Sequence, residues 1–158
     1  MKVNRSSMLR NKTCEAYKSP MVRVSMVRQS VAEFGFPVTS NSEACVIAKE
    51  HFDSMNYDRE VLVVFSLDTK LRVIAMTEAS IGTIDASLVH PREVFKVPII
   101  VGAQAIIVAH NHPSGDSAPS IADKRVHDRL KECGKLLGIE VLDHIVVGDE
   151  AYSIERGY

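Results

Sequence analysis

Ala105-Ile106-Ile107-Val108-Ala109-His110-Asn111-His112-Pro113-Ser114-Gly115-Asp116-Ser117-Ala118-Pro119-Ser120-Ile121-Ala122-Asp123 runs from an apolar segment through a polar loop into the start of a helix. Five apolar residues in a row, Ala105 to Ala109, have the character of a strand covered on both faces. Side chains alternate along a strand, so His110 and His112 leave its end on one face while Asn111 points the other way. Two imidazoles side by side at a strand's carboxyl end can grip one divalent ion. Asp123, just inside the next helix, is the nearest carboxylate able to join them. Two His and one carboxylate with a fourth position left over is the donor set of a catalytic zinc. Asp123 also has a structural reading. Ser120 followed three residues later by an acid is a capping box, and the acid suits the positive end of the helix dipole. Pro113, Gly115 and Pro119 would hold the connecting loop in a fixed shape.

Outward from this stretch, helices alternate with strands. A long helix is expected from Ser120 to about Leu137, with Ala122, Val126, Leu130, Cys133 and Leu137 on one face and Gly138 as its stop. Ile139–Val147 and Ala151–Glu155 follow as two strands joined at Gly148-Asp149. Upstream, Pro91 suits the first turn of a helix running to about Gly102, in which Pro98 costs a hydrogen bond and kinks the chain. Residues Gly82 to His90 form a loop or irregular edge. Glu60–Leu67 and Leu71–Thr77 are strands joined by a turn at Asp68-Thr69-Lys70. Ser42–Met55 is a helix with Ala44, Ile47, Ala48, Phe52 and Met55 as its apolar stripe. Met21–Arg28 alternates partly, as a half-buried strand would, and residues 1–19 show no period. The order predicts one α/β domain around a mixed, twisted β-sheet flanked by helices. A basic N-terminal arm and strand (1–36) would precede it, and the domain itself would span 37–158.

At 158 residues, 46% hydrophobic and 25% charged, the chain has the composition of one globular domain. No apolar run approaches the roughly 20 residues of a membrane span, and no secretory h-region is visible. Cys14, Cys45 and Cys133 are scattered and never paired as CxxC, which argues against thiolate zinc and fits a reducing, cytoplasmic setting. The net charge of −1 is uneven: residues 1–28 hold seven basic side chains against the single acid Glu15. Such an arm could touch nucleic acid, or be no more than a solvated terminal segment. No membrane partner is expected.

Six histidines occur, and His51, His90 and His144 read as ordinary helix, turn and strand residues. His127 lies four residues after Asp123 on the same helix face and could support it. A zinc held by His110, His112 and Asp123 would need a general base near its water. Glu43, Glu50, Glu60, Glu78 and Glu93 are all candidates on composition. Glu60 stands out because it opens an apolar strand.

The string His110-x-His112-x7-Ser120-x2-Asp123 resembles the metal motif of the JAMM (MPN+) metalloprotease superfamily. Leu67-Asp68-Thr69-Lys70, Ser87–Phe95, His110–Gly115 and Asp143–Gly148 are similar to the bacterial RadC family, over roughly residues 40 to 156. The resemblance implies a JAB/MPN-type, cytidine-deaminase-like fold with His110, His112 and Asp123 as zinc ligands. It makes Glu60 the glutamate that polarises the water and Ser120 the serine that steadies the oxyanion. It implies a metallopeptidase or isopeptidase acting on a peptide or protein. The family's usual helix-hairpin-helix region has no counterpart in residues 1–40, and Lys96-Val97-Pro98-Ile99-Ile100 replaces a Leu/Ala-rich helix. A second reading is a DNA-associated module, related to repair or recombination, whose metal site is vestigial or structural. A nucleobase deaminase is disfavoured, because no His-x-Glu with Pro-Cys-x-x-Cys is present.

Overall fold

A computed structural model of the chain describes residues 36–55, 57–82 and 89–155. The expected basic arm, the strand at Met21–Arg28 and most of the loop between Gly82 and His90 lie outside the described residues, so the DNA-associated reading gains nothing from the structure.

The elements are α1 (Asn41–Met55), β1 (Val61–Leu67), β2 (Val73–Ile81), α2 (Pro91–Val94), α3 (Lys96–Val101), β3 (Ala105–Asn111), α4 (Ile121–Leu137), β4 (Glu140–Val147) and β5 (Ala151–Ser153). They form a five-stranded mixed sheet of order β2-β1-β3-β4-β5 flanked by helices. The β3–β4 pair is parallel and the other neighbours are antiparallel. A parallel pair needs a long crossover, and α4 provides it.

Continuous apolar runs place β1 and β3 in the middle of the sheet, where every residue of both strands is buried. One apolar cluster joins α1 (Ala44, Ile47, Ala48, Phe52) to Val63, Phe65, Ile107, Ala109 and Ile145. The other joins α4 (Val126, Leu130) and Phe95 to Leu62, Val64, Ile106 and Val108. Large apolar side chains buried in this way contribute about 1.5–3 kcal/mol each. Residues of one strand therefore divide by parity between an α1 face and an α4 face.

Three boundaries differ from the sequence expectation. The segment from Pro91 is two helices, broken at Phe95 just ahead of Pro98, which has no amide to return to Val94. The β1–β2 turn is longer than Asp68-Thr69-Lys70: Leu71 adopts the left-handed φ of 58°, and the Asp68 side chain accepts from the amides of Lys70 and Arg72. The strand β2 consequently starts at Val73, and it runs to Ile81 because β1 offers it a partner along its whole length. Met55 and Leu137, expected on buried stripes, are exposed at the last residues of their helices.

A register shift in the β3–β4 pair matters most for the site. Ile106 pairs with Val141 and Ile107 with Asp143, leaving Leu142 as an extra residue. A one-residue slip exchanges the faces of everything beyond it. The bulge thus turns Asp143 toward α1 and His144, opposite Val108, toward α4.

Candidate metal centre

Strand β3 delivers His110 to the α4 face, where it is fully buried. His112 lies one residue past the strand, its amide donating 2.7 Å to the Val147 carbonyl and so continuing the pairing with β4. Its ring has a fixed tautomer. Nδ1 is 2.6 Å from the Asp116 carbonyl, which can only accept, so Nδ1 carries a proton and Nε2 is the nitrogen left to coordinate.

Asp123 enters from the first turn of α4, and it fills both roles the sequence offered. Its Oδ2 accepts from the Ser120 amide at 2.7 Å while its own amide donates to Ser120 Oγ at 3.1 Å, a complete capping box. Its Oδ1 is 3.3 Å from His110 Nε2, and its Oδ2 is 3.7 Å from His112 Nε2. Burial pushes the Asp123 carboxyl up, but hydrogen bonds from His110 and Ser120 outweigh it and hold the group well below the usual carboxylate range. The residue is an anion.

His110, His112 and Asp123 each bring one donor atom to within 4.8 Å of the others. The two imidazole Nε2 atoms are only 3.0 Å apart. In the metal-free chain His110 Nε2 can donate to His112 Nε2 and to Asp123; release of that proton would leave two nitrogen lone pairs facing each other beside a carboxylate, which suits a cation. The residues present therefore fit a divalent ion.

The other carboxylates considered from sequence are placed elsewhere. Glu43 caps α1 through Thr39 and Ser40, Glu78 accepts from the Tyr57 hydroxyl, and Glu93 pairs with Lys96. Glu50 is exposed on α1, across the sheet from the three ligands. Glu60 directly precedes β1. The antiparallel register sets Leu62 against His110, and the same register carried two residues further would put Glu60 opposite His112.

Asn111, on the opposite face, ties down this end of β1. Its Oδ1 accepts from the Val61 amide at 2.8 Å and its Nδ2 donates to the Arg59 carbonyl at 3.0 Å. The backbone is thereby fixed on both sides of Glu60. Ser120, the helix cap, uses its oxygen as an acceptor, which leaves its hydroxyl proton free to point elsewhere.

His144 is the residue that sequence reasoning missed. It is fully buried, and its Nε2 lies 2.8 Å from His110 Nδ1. Burial, reinforced by the neighbouring imidazoles of His110 and His127, holds it neutral with a pKa far below that of a free histidine. His127 does not support Asp123 directly; its Nε2 bonds Glu155 at 2.9 Å instead. The available signal was an Asp-His pair inside an otherwise apolar strand, since such residues are buried only with partners.

A RadC-like JAB domain profile matches residues 38–158. The chain belongs to that family. Similar RadC-family relatives are UPF0758 proteins, among them one from Clostridium acetobutylicum, 47% identical over 115 residues, or 73% of this chain and 49% of the relative. One from Alkaliphilus metalliredigens is 54% identical over 101 residues, covering 63% of this chain and 44% of the relative. One from Vibrio cholerae is 51% identical over 104 residues, covering 65% of this chain and 66% of the relative. The chain spans about half the length of most of these relatives. As a RadC-like JAB domain it has the mixed sheet and the His-His-Asp group described above, and no helix among its described residues is long and apolar enough to cross a membrane.

Proposed function

We propose that this RadC-like domain is a zinc-dependent hydrolase that cleaves a peptide or isopeptide amide. The observation behind the reading is the convergence of His110 Nε2, His112 Nε2 and an Asp123 carboxylate oxygen. A divalent ion held there would act as a Lewis acid and lower the pKa of a coordinated water toward about 7. The residues around it have distinct tasks. Glu60, directly ahead of β1, accepts a proton from the attacking water and passes it to the leaving amine. The Ser120 hydroxyl donates to the oxyanion that develops on the substrate carbonyl. The Asp116 carbonyl keeps the His112 ring in the tautomer that binds metal. Asn111 holds the backbone that carries Glu60.

The test pairs metal content with amide hydrolysis in the wild type and in Glu60→Gln, against a panel of peptide and isopeptide substrates. Both proteins should bind one zinc, while the variant loses about 10²–10⁴-fold in rate. Equal rates would remove Glu60 from the mechanism. Failure of the wild type to bind zinc would remove the mechanism altogether.

A further inference from the structure

His127 and His144 each keep a buried Nδ1 without a hydrogen-bond partner, two of four such side-chain atoms among the described residues. Leaving a buried polar atom unpaired costs about 1–3 kcal/mol, so two on neighbouring rings call for a cause.

The proton positions follow from the two ends. At the outer end Glu155 can only accept, so its 2.9 Å contact places a proton on His127 Nε2 and makes Nδ1 the nitrogen that carries the lone pair when the ring holds a single proton. At the inner end a metal-binding His110 keeps Nε2 unprotonated, carries its proton on Nδ1 and donates to His144 Nε2 at 2.8 Å. His144 then accepts through Nε2, so its own proton sits on Nδ1. An unpartnered donor and an unpartnered acceptor thus lie on adjacent rings whose centres are 6.1 Å apart. Neither Nδ1 bonds directly to the other, and a single water between neighbouring rings could accept from one and donate to the other.

We propose that Glu155, His127 and His144 form a positioning relay for the metal ligand His110, closed by one buried water between the two Nδ1 atoms. The inference rests on the metal reading above. The relay is no proton path to the ion, because the His110 lone pair that would receive the proton is committed to the metal. It sets the tautomer and orientation of the ligand ring instead, as carboxylate–histidine–zinc chains do. Its outer end is well anchored. The Glu155 amide donates to Asp143 at 3.1 Å, its carbonyl accepts from Ser153 Oγ at 2.9 Å, and its carboxylate also pairs with Lys131.

The experiment measures zinc affinity of the full chain by competition with a chromogenic chelator, alongside two-bond ¹H–¹⁵N histidine spectra of the zinc-loaded protein. The spectra should show protons on His144 Nδ1 and His127 Nε2. His144→Phe, which removes the acceptor for His110, should lower zinc affinity about 10–100-fold. His144→Gln, whose amide oxygen can occupy the Nε2 position, should restore part of it. Glu155→Gln, a near-isosteric change at the partly exposed end, should cost about three- to tenfold and alter the His127 signals. Wild-type zinc binding with all three variants within twofold would overturn the relay alone. A proton found on His144 Nε2 in the loaded protein would also overturn it. A wild type that binds no zinc would overturn the metal reading and the relay with it.

Discussion

Asp143 and His144 are neighbours on β4, both fully buried, and the bulge at Leu142 sends them to opposite faces of the sheet. On the α1 face the Asp143 carboxylate accepts from Asn41 Nδ2, Ser153 Oγ and the amides of His144 and Glu155, at 2.7–3.1 Å. On the α4 face His144 bonds through one nitrogen and leaves the other without a partner. The two differ in what surrounds them more than in depth. A buried polar group with its hydrogen bonds complete fixes the chain. One left partly satisfied next to two further imidazoles and a carboxylate marks a place prepared for something else.

The strongest way to break this contrast is Asp143→Ala. Four donors lose their acceptor, and the ends of α1, β5 and the Glu155 segment lose their common anchor. Thermal or denaturant unfolding should show a loss of about 3–5 kcal/mol. His144→Phe should cost far less stability, and its effect should fall on zinc affinity. If the two variants unfold alike, the division between a structural and a ligand-directed face fails.

Gly148→Ala tests whether the metal loop leans on the structural scaffold. The Asp149 amide donates to the Gly115 carbonyl at 2.7 Å, and a Cβ on residue 148 would meet that carbonyl oxygen at 2.1 Å. Backbone stands on both sides, so the loop must move. A loss of about 1–3 kcal/mol is expected, as for other overpacked sites. Zinc affinity should fall with it, because His112 and Asp116 travel on the same loop. Unchanged affinity in a destabilised variant would separate the loop from the site.

Asn111→Ala sharpens the comparison at the carboxyl end of β3. The variant leaves the Val61 amide without its side-chain acceptor, at a cost of about 1–2 kcal/mol. Its effect on chemistry should be specific: hydrolysis falls while zinc affinity stays, because Asn111 holds the Glu60 backbone and touches no ligand. Loss of zinc affinity would show instead that the clamp positions the strand end as a whole.

Much of this was legible in the chain. The Ala105–Ala109 run, the parity of His110 and His112, the Ser120 cap and the Gly138 stop are local signals, and β3 and α4 lie within two residues of their expected places. The resemblance carried by the His-x-His string identified the family that the profile match shows. What stayed hidden is non-local. Whether Asp143 or His144 faces α4 is decided by a bulge that exists only against β3, and no periodicity within β4 reveals it. His127 looked like a partner for Asp123 on helical spacing, but Glu155, brought in by the β4–β5 turn, captures its ring. The length of β2 likewise depended on β1, and the turn at Leu71 on a left-handed residue that is not glycine.

The smallest effect expected is in acid, and it concerns the residue shared by cap and metal site. The carboxyl of Asp123 in the folded, zinc-free chain titrates below its unfolded value of about 3.9, so the folded state holds that proton less readily. Its stabilising contribution is therefore complete above about pH 4–5 and is lost as pH falls through the folded pKa. Asp123→Asn keeps a side-chain oxygen able to accept from the Ser120 amide, yet it has no charge to set against His110. Unfolding curves of the two zinc-free proteins, followed from neutral pH to about pH 2, should converge as the wild type gives up this advantage. Curves that stay parallel would mean that the 3.3 Å carboxylate–imidazole contact contributes nothing in solution. Asp123 would then belong with Asp143, as an anchor of the fold, and the α4 face would lose the anion that makes its histidines a cation site.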